Sequence, residues 1–211
     1  MIDGPERTGS AGARDARRAA TKARLLEAAR RRFSEQGYDN TSVTESARDA
    51  GVTHAMINAY FEGKAGLLYA LVTELNSAQI AKSAQAEARP GDTLARLTCQ
   101  IQIWMEYDLR DPRLLAVLLA FSWQWSQETE ARNRAELDAA LEPARRILRR
   151  GIAEGELRPD LDVDRFVEVF YASYLWSVRP AVLSGAPLAE CLREAEGCIE
   201  LLLRGARRHR D

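Results

Sequence analysis

The stretch from residue 41 to residue 68, TSVTESARDAGVTHAMINAYFEGKAGLL, determines how the rest of the chain is interpreted. Two short helical segments flank Gly51, and a third helix begins near Ala65. Two short helices joined by a tight turn that contains glycine form the helix-turn-helix pattern of DNA-binding proteins. Val52 is the apolar residue that we expect to hold the two helices at their angle. This stretch therefore predicts a DNA-binding motif.

Polar residues at the helix starts support this interpretation. Ser42, followed three residues later by Glu45, fits a capping box, in which two otherwise unpaired backbone amides are satisfied reciprocally. Thr53 is placed to cap the recognition helix, which we predict over residues 54–60. Ile57 and Phe61 are expected to face inward, towards a small core.

A basic run precedes the motif. Residues 14–32 contain eight basic and two acidic residues, a net charge of +6, although the whole chain has a net charge of −1. A solvated helix face is the simpler explanation of such a run. Its position beside a helix-turn-helix instead favours neutralisation of DNA phosphates.

Composition excludes several classes of protein. The 211 residues are 46% hydrophobic and 29% charged, as in ordinary globular proteins, and no apolar stretch is long enough for a membrane span. Three scattered cysteines do not suggest a disulfide framework, and two histidines do not form a metal-ligand cluster. We expect a cytoplasmic protein without a metal or another cofactor. An enzyme is the least favoured class, because no nucleophile–base pair or carboxylate dyad has usable spacing.

The remaining sequence predicts an all-α protein. Residues 1–13 are expected to form a flexible tail, residues 14–64 a three-helix DNA-binding domain, and residues 65–211 a larger helical domain. Glycine and proline separate the predicted helices, and Gly37 suits the end of the first, at about residues 15–36. The later helices are predicted at 65–88, 92–109, 111–130, 132–154, 162–184 and 188–207. Pro143 either kinks the fourth of these or marks a boundary.

The motif residues resemble the TetR family of bacterial transcriptional regulators. The matching pieces are Gly37-Tyr38-Asp39-Asn40-Thr41-Ser42-Val43, Ala50-Gly51-Val52-Thr53, and Tyr60-Phe61 with Lys64 and Leu67-Leu68. Their order and spacing together are specific. The region that they cover is about a third of the chain. The resemblance implies a DNA-binding domain of three helices joined to a helical domain for effector binding and dimerisation. Two positions depart from the family pattern: Ser46 replaces the usual isoleucine, which predicts looser packing, and Asn58 replaces a frequent tyrosine.

We expect the recognition helix to supply the side chains that read DNA. Its first residues reach base edges in the major groove, and the candidates are Thr53, His54, Ala55, Met56 and Asn58. Asparagine can pair bidentately with adenine. The resemblance implies phosphate contacts from Thr41, Tyr60 and Lys64, to which we add Ser42, Arg17 and Arg18.

Aromatic residues in the larger domain suggest a pocket for an apolar or aromatic effector. The candidate lining residues are Trp104, Tyr107, Asp108, Phe121, Trp125, Tyr171 and Tyr174, with Gln100, Gln102 and Ser173 as further polar groups. Ordinary core packing is the alternative for each aromatic residue taken singly.

The last two predicted helices have apolar stripes. The resemblance implies that they pair with a second copy, through Phe166, Phe170, Trp176, Leu192, Ile199 and Leu202. A twofold homodimer also suits palindromic DNA. The stripes are alternatively used entirely within one protomer.

The sequence predicts a dimeric repressor that binds operator DNA and is released by a small molecule. A regulator without an inducer, or an activator, remains an alternative. From another class, a helical ligand-binding or partner-binding protein that no longer binds DNA is kept open by Ser46 and Asn58.

Overall fold

Helices make up almost all of the described secondary structure. The computed structural model describes the backbone of residues 8–207 and the side chains of residues 12–207. The helices are α1 (Thr8–Asn40), α2 (Val43–Asp49), α3 (His54–Phe61), α4 (Lys64–Ala88), α5 (Thr93–Asp108), α6 (Pro112–Ser122), α7 (Gln127–Ala153), α8 (Val163–Ser177), α9 (Arg179–Ser184) and α10 (Leu188–Ala206). An isolated antiparallel bridge joins Leu157 to Arg207. The predicted all-α class is confirmed. Within residues 8–207, no helix is both long and apolar enough to cross a membrane.

The chain divides into two compact units, at Val72 and Thr73. The division lies inside α4, whereas the sequence suggested a boundary at residues 64 and 65. The first unit contains α1, α2, α3 and the start of α4, and its core is formed by apolar side chains from all four helices. These side chains are Leu25, Ala28, Ala29, Phe33, Ala47, Ala50, Ile57, Phe61, Leu67, Leu68 and Leu71. The inward orientation predicted for Ile57 and Phe61 is confirmed.

Local sequence explains where the helices of the first unit stop. Gly37 has φ 74° and ψ 178°, so it interrupts helical geometry in α1 where the sequence predicted an end. Helix α2 is capped by Ser42, whose hydroxyl oxygen accepts a hydrogen bond from the amide of Glu45 at 3.4 Å. Only half of the predicted capping box forms, because the Glu45 carboxylate accepts from Arg32 instead. Thr53 precedes α3 without a side-chain cap.

Helix α1 begins earlier than the sequence predicted. Residues 8–13 are helical, so the predicted tail of residues 1–13 is wrong in this part, and residues 1–7 lie outside the described residues. Five alanines between residues 13 and 23 favour a helix even where no core covers it.

The second unit is a helical bundle built from α5, α7, α8 and α10. Helix α5 packs against α7 and α10, and α8 packs against both α7 and α10. Asp92, Asp111, Ser126 and Asp162 each cap the helix that follows with a side-chain oxygen. Pro143 lies buried inside α7 and does not end that helix.

Three predicted helices of the second unit have different bounds in the structure. The predicted helix over residues 111–130 ends at Ser122, and the next residue, Trp123, is 91% exposed. Ser126 caps a new helix, so the helix predicted over residues 132–154 begins earlier, at Gln127. The predicted helix over 162–184 divides at Val178, where Pro180 starts α9. Proline lacks the amide proton that a continuous helix requires.

Candidate nucleic-acid interface and internal polar cluster

Helix α3 presents a small polar face. His54, Ala55 and Asn58 are exposed, and Ala59, which was not among the predicted residues, is exposed beside them. Met56 is half-buried, and Thr53 is exposed just before the helix. Four of the five predicted base-reading residues thus lie at the surface. The spacing of Ile57 and Phe61 produces this arrangement, because their burial turns the intervening residues outward.

The end of α3 is fixed by an unusual backbone turn. Glu62 adopts a left-handed conformation with φ 59°, and its amide donates to the carbonyl of Asn58 at 3.1 Å. Gly63 follows with φ 100°. Gly66 lies so close to α3 that a Cβ atom placed on it would be 1.7 Å from the carbonyl oxygen of Phe61. The start of α4 therefore packs directly on the backbone of the recognition helix.

Lys64 connects the start of α4 to the turn after α1. Its ammonium group donates to the carbonyl of Asp39 at 3.1 Å and lies 4.4 Å from the centroid of the Tyr38 ring. Partial burial lowers the pKa of Lys64. The sequence predicted a phosphate contact for this lysine, and its structural role was not anticipated. An ammonium has three donors, so the bond to Asp39 leaves others for a phosphate.

The other predicted phosphate contacts differ in accessibility. Tyr60 and Ser42 are half-buried, whereas Arg17 and Arg18 are exposed. Thr41 is buried, and its hydroxyl donates to the carbonyl of Gly37 at 2.7 Å. The phosphate contact predicted for the Thr41 side chain is corrected here, because that hydroxyl serves to close the turn after α1.

Ser46 lies in the interior of the first unit. It is fully buried, and its hydroxyl donates to the carbonyl of Ser42 at 3.0 Å. A hydroxyl without a partner at this position would be costly. The hydrogen bond explains how serine is accommodated where the family usually has isoleucine.

The basic run divides into two parts with different partners. Arg32 donates to Asp49 at 2.7 Å and to Glu45 at 2.6 Å, and Arg31 donates to Asp49 at 2.8 Å. The hydrogen bond from Arg32 lowers the pKa of Asp49 to about 2. Arg30 lies 3.7 Å from Glu27. Charge at Arg31 and Arg32 therefore links α1 to α2, a role that was not predicted from the sequence, whereas Arg30 pairs within α1.

The second unit brings several aromatic residues of α5 and α8 together. The Trp104 ring lies 5.7 Å from Phe170, 6.1 Å from Tyr171 and 5.2 Å from Tyr174, measured between centroids. Tyr171 and Tyr174 are stacked at 6.1 Å. Phe170 was assigned to the dimer interface from the sequence, and it belongs to this internal group instead.

Buried polar groups lie beside these aromatic rings. The Asp108 carboxylate accepts from the Tyr174 hydroxyl and, at 2.6 Å, from the side-chain amide of Gln79. Gln100, fully buried, donates to Ser83 at 3.0 Å, while its Oε1 atom has no hydrogen-bond partner among the described residues. We call Gln79, Ser83, Gln100, Asp108 and Tyr174 the internal polar cluster.

Burial has the largest effect on the pKa values of this cluster and of Tyr171 beside it. It raises the pKa of Asp108 to about 6, although the hydrogen bonds from Tyr174 and Gln79 act in the opposite direction. Burial and the neighbouring Asp108 charge also raise the pKa values of Tyr171 and Tyr174. A carboxylate in such surroundings favours ligands that donate hydrogen bonds.

The other predicted lining residues lie in different surroundings. Tyr107 is half-buried, with the Arg110 guanidinium 4.4 Å from its ring centroid, and Phe121 and Trp125 are half-buried at the end of α6 and in the following loop. Gln102 donates to Glu106, and Ser173 donates to the carbonyl of Phe170. Gln79 and Ser83 were missed. Their spacing of four residues on α4 was the signal that would have identified them.

The predicted dimer interface needs correction. Phe166, Phe170 and Ile199 are 7%, 0% and 0% exposed, so they belong to the core of the protomer. Leu192 and Leu202 are half-buried against the same core. Trp176 is 63% exposed and stays a candidate. Other large apolar side chains exposed on α8, α9 and α10 are Val169, Leu183 and Leu201.

Two models of known protein families match the chain, one in each unit. Residues 25–71 match the family model described as bacterial regulatory proteins, tetR family, and residues 90–192 match the model described as tetracyclin repressor-like, C-terminal domain. The probable HTH-type transcriptional regulator ArpR of Pseudomonas putida is 28% identical over 159 residues, which cover 72% of this chain and 75% of that protein.

Solved structures show the same fold. The TetR family transcriptional regulator PfmR from Thermus thermophilus is 25% identical with a TM-score of 0.67, over 88% of this chain and 100% of that one. The transcriptional regulator FadR from Bacillus subtilis, solved in complex with stearoyl-CoA, has a TM-score of 0.75 at 23% identity, over 88% and 99% of the two chains. Together with the two family models, these similarities show that the chain belongs to the TetR family of bacterial transcriptional regulators.

Proposed function

We propose that this regulator is a homodimeric repressor, which binds palindromic operator DNA in the cytoplasm and is released by a small apolar or aromatic effector. The observation that carries the proposal is the combination of an exposed recognition helix with buried polar and aromatic groups in the second unit. An exposed His54-Ala55 pair and Asn58 suit base edges. The cluster around Trp104 and Asp108 suits a ligand.

The internal polar cluster restricts the chemistry of the effector. Gln100 Oε1 is a buried acceptor that lacks a partner among the described residues. Buried acceptors normally find a donor, so we expect the effector to carry a hydroxyl or amine beside an aromatic or aliphatic body. FadR of Bacillus subtilis, solved with stearoyl-CoA, supports a ligand with an apolar part in this fold.

Release from DNA follows from differential binding. An effector that favours the conformer with wrongly spaced recognition helices lowers DNA affinity, and DNA lowers effector affinity by the same factor. Helix α4 is continuous from Lys64 to Ala88, so one helix contains both Gly66 beside α3 and Gln79 in the polar cluster. We propose that the coupling passes through this helix.

Selection of binding sites from random duplex DNA tests the proposal. We expect a palindromic motif whose recovery falls when a matching effector is added. Asn58→Ala is expected to relax the preference at one base pair in each half-site, and Lys64→Ala to weaken all sequences alike and to flatten the salt dependence by about one unit. Gln127→Ala, at an exposed position of the second unit, serves as the control.

Two results of this selection would contradict the proposal. If the folded dimer enriches no DNA sequence, the repressor proposal fails, and a partner-binding protein with a vestigial helix-turn-helix becomes the better explanation. If Asn58→Ala leaves the selected motif unchanged, the base-reading role of Asn58 is wrong.

A further inference from the structure

The first part of α1 extends beyond the core of its own unit. Among the side chains of α1 that the structure describes, which begin at Gly12, the first buried one is that of Leu25. From Gly12 to Arg24 every side chain is exposed except Thr21, which is half-buried. The family match also begins at residue 25, so this segment lies outside it. We call residues 8–24 the α1 extension. A helix of this length without a core of its own requires another explanation.

Charge distinguishes the α1 extension from the rest of α1. Between Gly12 and Arg24 it carries five basic residues and one acidic residue, a net charge of +4. By contrast, Arg31 and Arg32 in the later part of α1 are bound to carboxylates of α2. The positive charge at residues 30–32 is thus offset within the first unit, whereas the charge of the extension is concentrated on an exposed helix.

Two ring contacts orient the α1 extension relative to α3. The Arg18 guanidinium lies 5.4 Å from the centroid of the Tyr60 ring, and the Lys22 ammonium lies 5.8 Å from that of Phe61. Arg14, Arg18 and Lys22 are spaced by four residues, so they share one face, and Leu25 continues it. The basic stripe therefore starts at the end of the recognition helix and runs away from it.

The dimensions of the α1 extension suit a nucleic-acid backbone. At about 1.5 Å per residue, its seventeen residues span about 25 Å. Phosphates follow each other along one DNA strand at about 3.4 Å of helix axis. A helix of this length passes several phosphates. Its stripe has cations at intervals of about 6 Å, one turn apart.

Composition favours DNA over a membrane surface as the partner. Helices that lie on membranes carry tryptophan, phenylalanine or leucine on their apolar face. Between Gly12 and Arg24 the apolar residues are all alanines. Without large apolar side chains the segment has only charge to offer, and charge alone suits phosphates of DNA.

We propose that the α1 extension is a second DNA-binding element, which contacts backbone phosphates outside the base pairs read by α3. This inference rests on the proposed function, because it requires an operator. The extension adds affinity and lengthens the DNA footprint without adding sequence preference, since phosphate contacts carry no base information. Arg14, Arg18 and Lys22 are the residues that we assign to this contact.

The test compares two duplexes that contain the operator obtained by selection. The short duplex ends at the last base pair of the selected motif, and the long duplex has about ten arbitrary base pairs added on each side, roughly one helical turn. We expect the wild type to bind the long duplex at least ten times more tightly at low salt. The triple variant R14Q/R18Q/K22Q should lose most of this advantage, so that its affinity falls more on the long duplex than on the short one.

Salt dependence and matched variants complete the design. For the long duplex, the triple variant should lower the slope of log K against log salt by about 5 per dimer, since each phosphate contact contributes about 0.9. R113Q/R193Q/R204Q removes the same charge from exposed positions of the second unit and should retain the length advantage. R14K/R18K should retain it too, because both charges remain. Circular dichroism checks that each variant folds.

Three results would overturn the inference. In the first, the triple variant keeps the length advantage. In the second, it loses affinity equally on both duplexes, which would place the three cations within the half-site. In the third, DNA affinity depends neither on the length of the duplex nor on the triple substitution, and the triple variant instead loses binding to vesicles of phosphatidylserine. A failure to select any operator would count against the proposed function itself.

Discussion

Asp108 is a carboxylic acid inside a helical bundle, held by the Tyr174 hydroxyl and the Gln79 amide. Its pKa of about 6 in the folded protein exceeds the ordinary value of 3.8 because burial penalises the charged form. The folded state therefore binds the proton more tightly than the unfolded state. Stability from this group is fully present below about pH 4 and is lost as the pH rises through about 6.

Asp108→Asn is expected to remove this pH dependence. Between pH 4 and pH 7 the free energy of unfolding of the wild type should fall by roughly 2 kcal/mol relative to that of the variant, because each unit of pKa shift corresponds to about 1.4 kcal/mol and most of the shift of Asp108 lies in this pH range. Urea unfolding of both proteins at pH 4, 5, 6 and 7 measures the difference. Asp160→Asn, exposed in the second unit, is the control. Parallel pH curves for wild type and Asp108→Asn would contradict the prediction.

Gly66 is required by the close approach of two helices. Because a Cβ atom there would meet the carbonyl oxygen of Phe61 at 1.7 Å, Gly66→Ala must displace backbone at the end of α3. We expect a loss of roughly 2 kcal/mol or more of stability and a marked loss of DNA affinity. Gly197→Ala is the matched control. It lies in the exposed interior of α10 with open space around it, and should stabilise the protein by roughly 0.5–1 kcal/mol. Thermal unfolding and gel-shift titration distinguish the two.

At the scale of elements, the helix starts combine structural and binding roles. Ser42 caps α2 through its hydroxyl oxygen, and the same hydroxyl is a candidate phosphate donor. The sequence alone predicted both roles for one residue. Separating them requires a substitution that keeps the cap and changes the charge.

Ser42→Asp and Ser42→Ala separate capping from phosphate binding. Aspartate is as good an N-cap as serine, so Ser42→Asp should preserve the stability of the first unit but weaken DNA binding, because its charge repels phosphate. Ser42→Ala should cost about 1 kcal/mol of stability. Chemical denaturation and DNA titration at constant salt measure the two effects. If Ser42→Asp binds DNA as well as the wild type does, no phosphate lies near Ser42.

In the molecule as a whole, several large apolar side chains are exposed on the last helices. Val169 and Trp176 on α8 and Leu201 on α10 are 44%, 63% and 68% exposed. Such side chains suit a symmetric interface with a second copy. Phe170, assigned to that interface from the sequence, has no exposed surface to contribute.

Trp176→Lys and Phe170→Ala distinguish an interface from a core. Trp176→Lys should convert the dimer to a monomer in sedimentation velocity and abolish binding to palindromic DNA, while each protomer stays folded. Phe170→Ala should destabilise the protomer by roughly 3–5 kcal/mol, because it leaves a cavity in the core. A Trp176→Lys protein that still sediments as a dimer would show that α8 does not form the interface through this residue.

The DNA-binding unit was largely predictable because its signals are local. The glycine turn, the cap at Ser42 and the inward positions Ile57 and Phe61 depend on residues a few positions apart, where helix periodicity and turn chemistry operate. The start of α1 was missed because the glycines near the N-terminus suggested a tail, while the alanines that favour a helix carry no periodic pattern. Pairing of Arg32 with Glu45 and Asp49 was missed because it joins two helices.

Neighbouring residues were enough to predict the helical class, the helix-turn-helix and the aromatic content of the larger domain, since propensity, caps and periodicity are local properties. Tertiary structure decided which members of each apolar stripe are buried, that Gln79 of α4 meets Asp108 of α5, and that Phe170 joins Trp104. The reason is physical. A helix presents its side chains all round, and only the neighbours that pack against it determine which of them leave water.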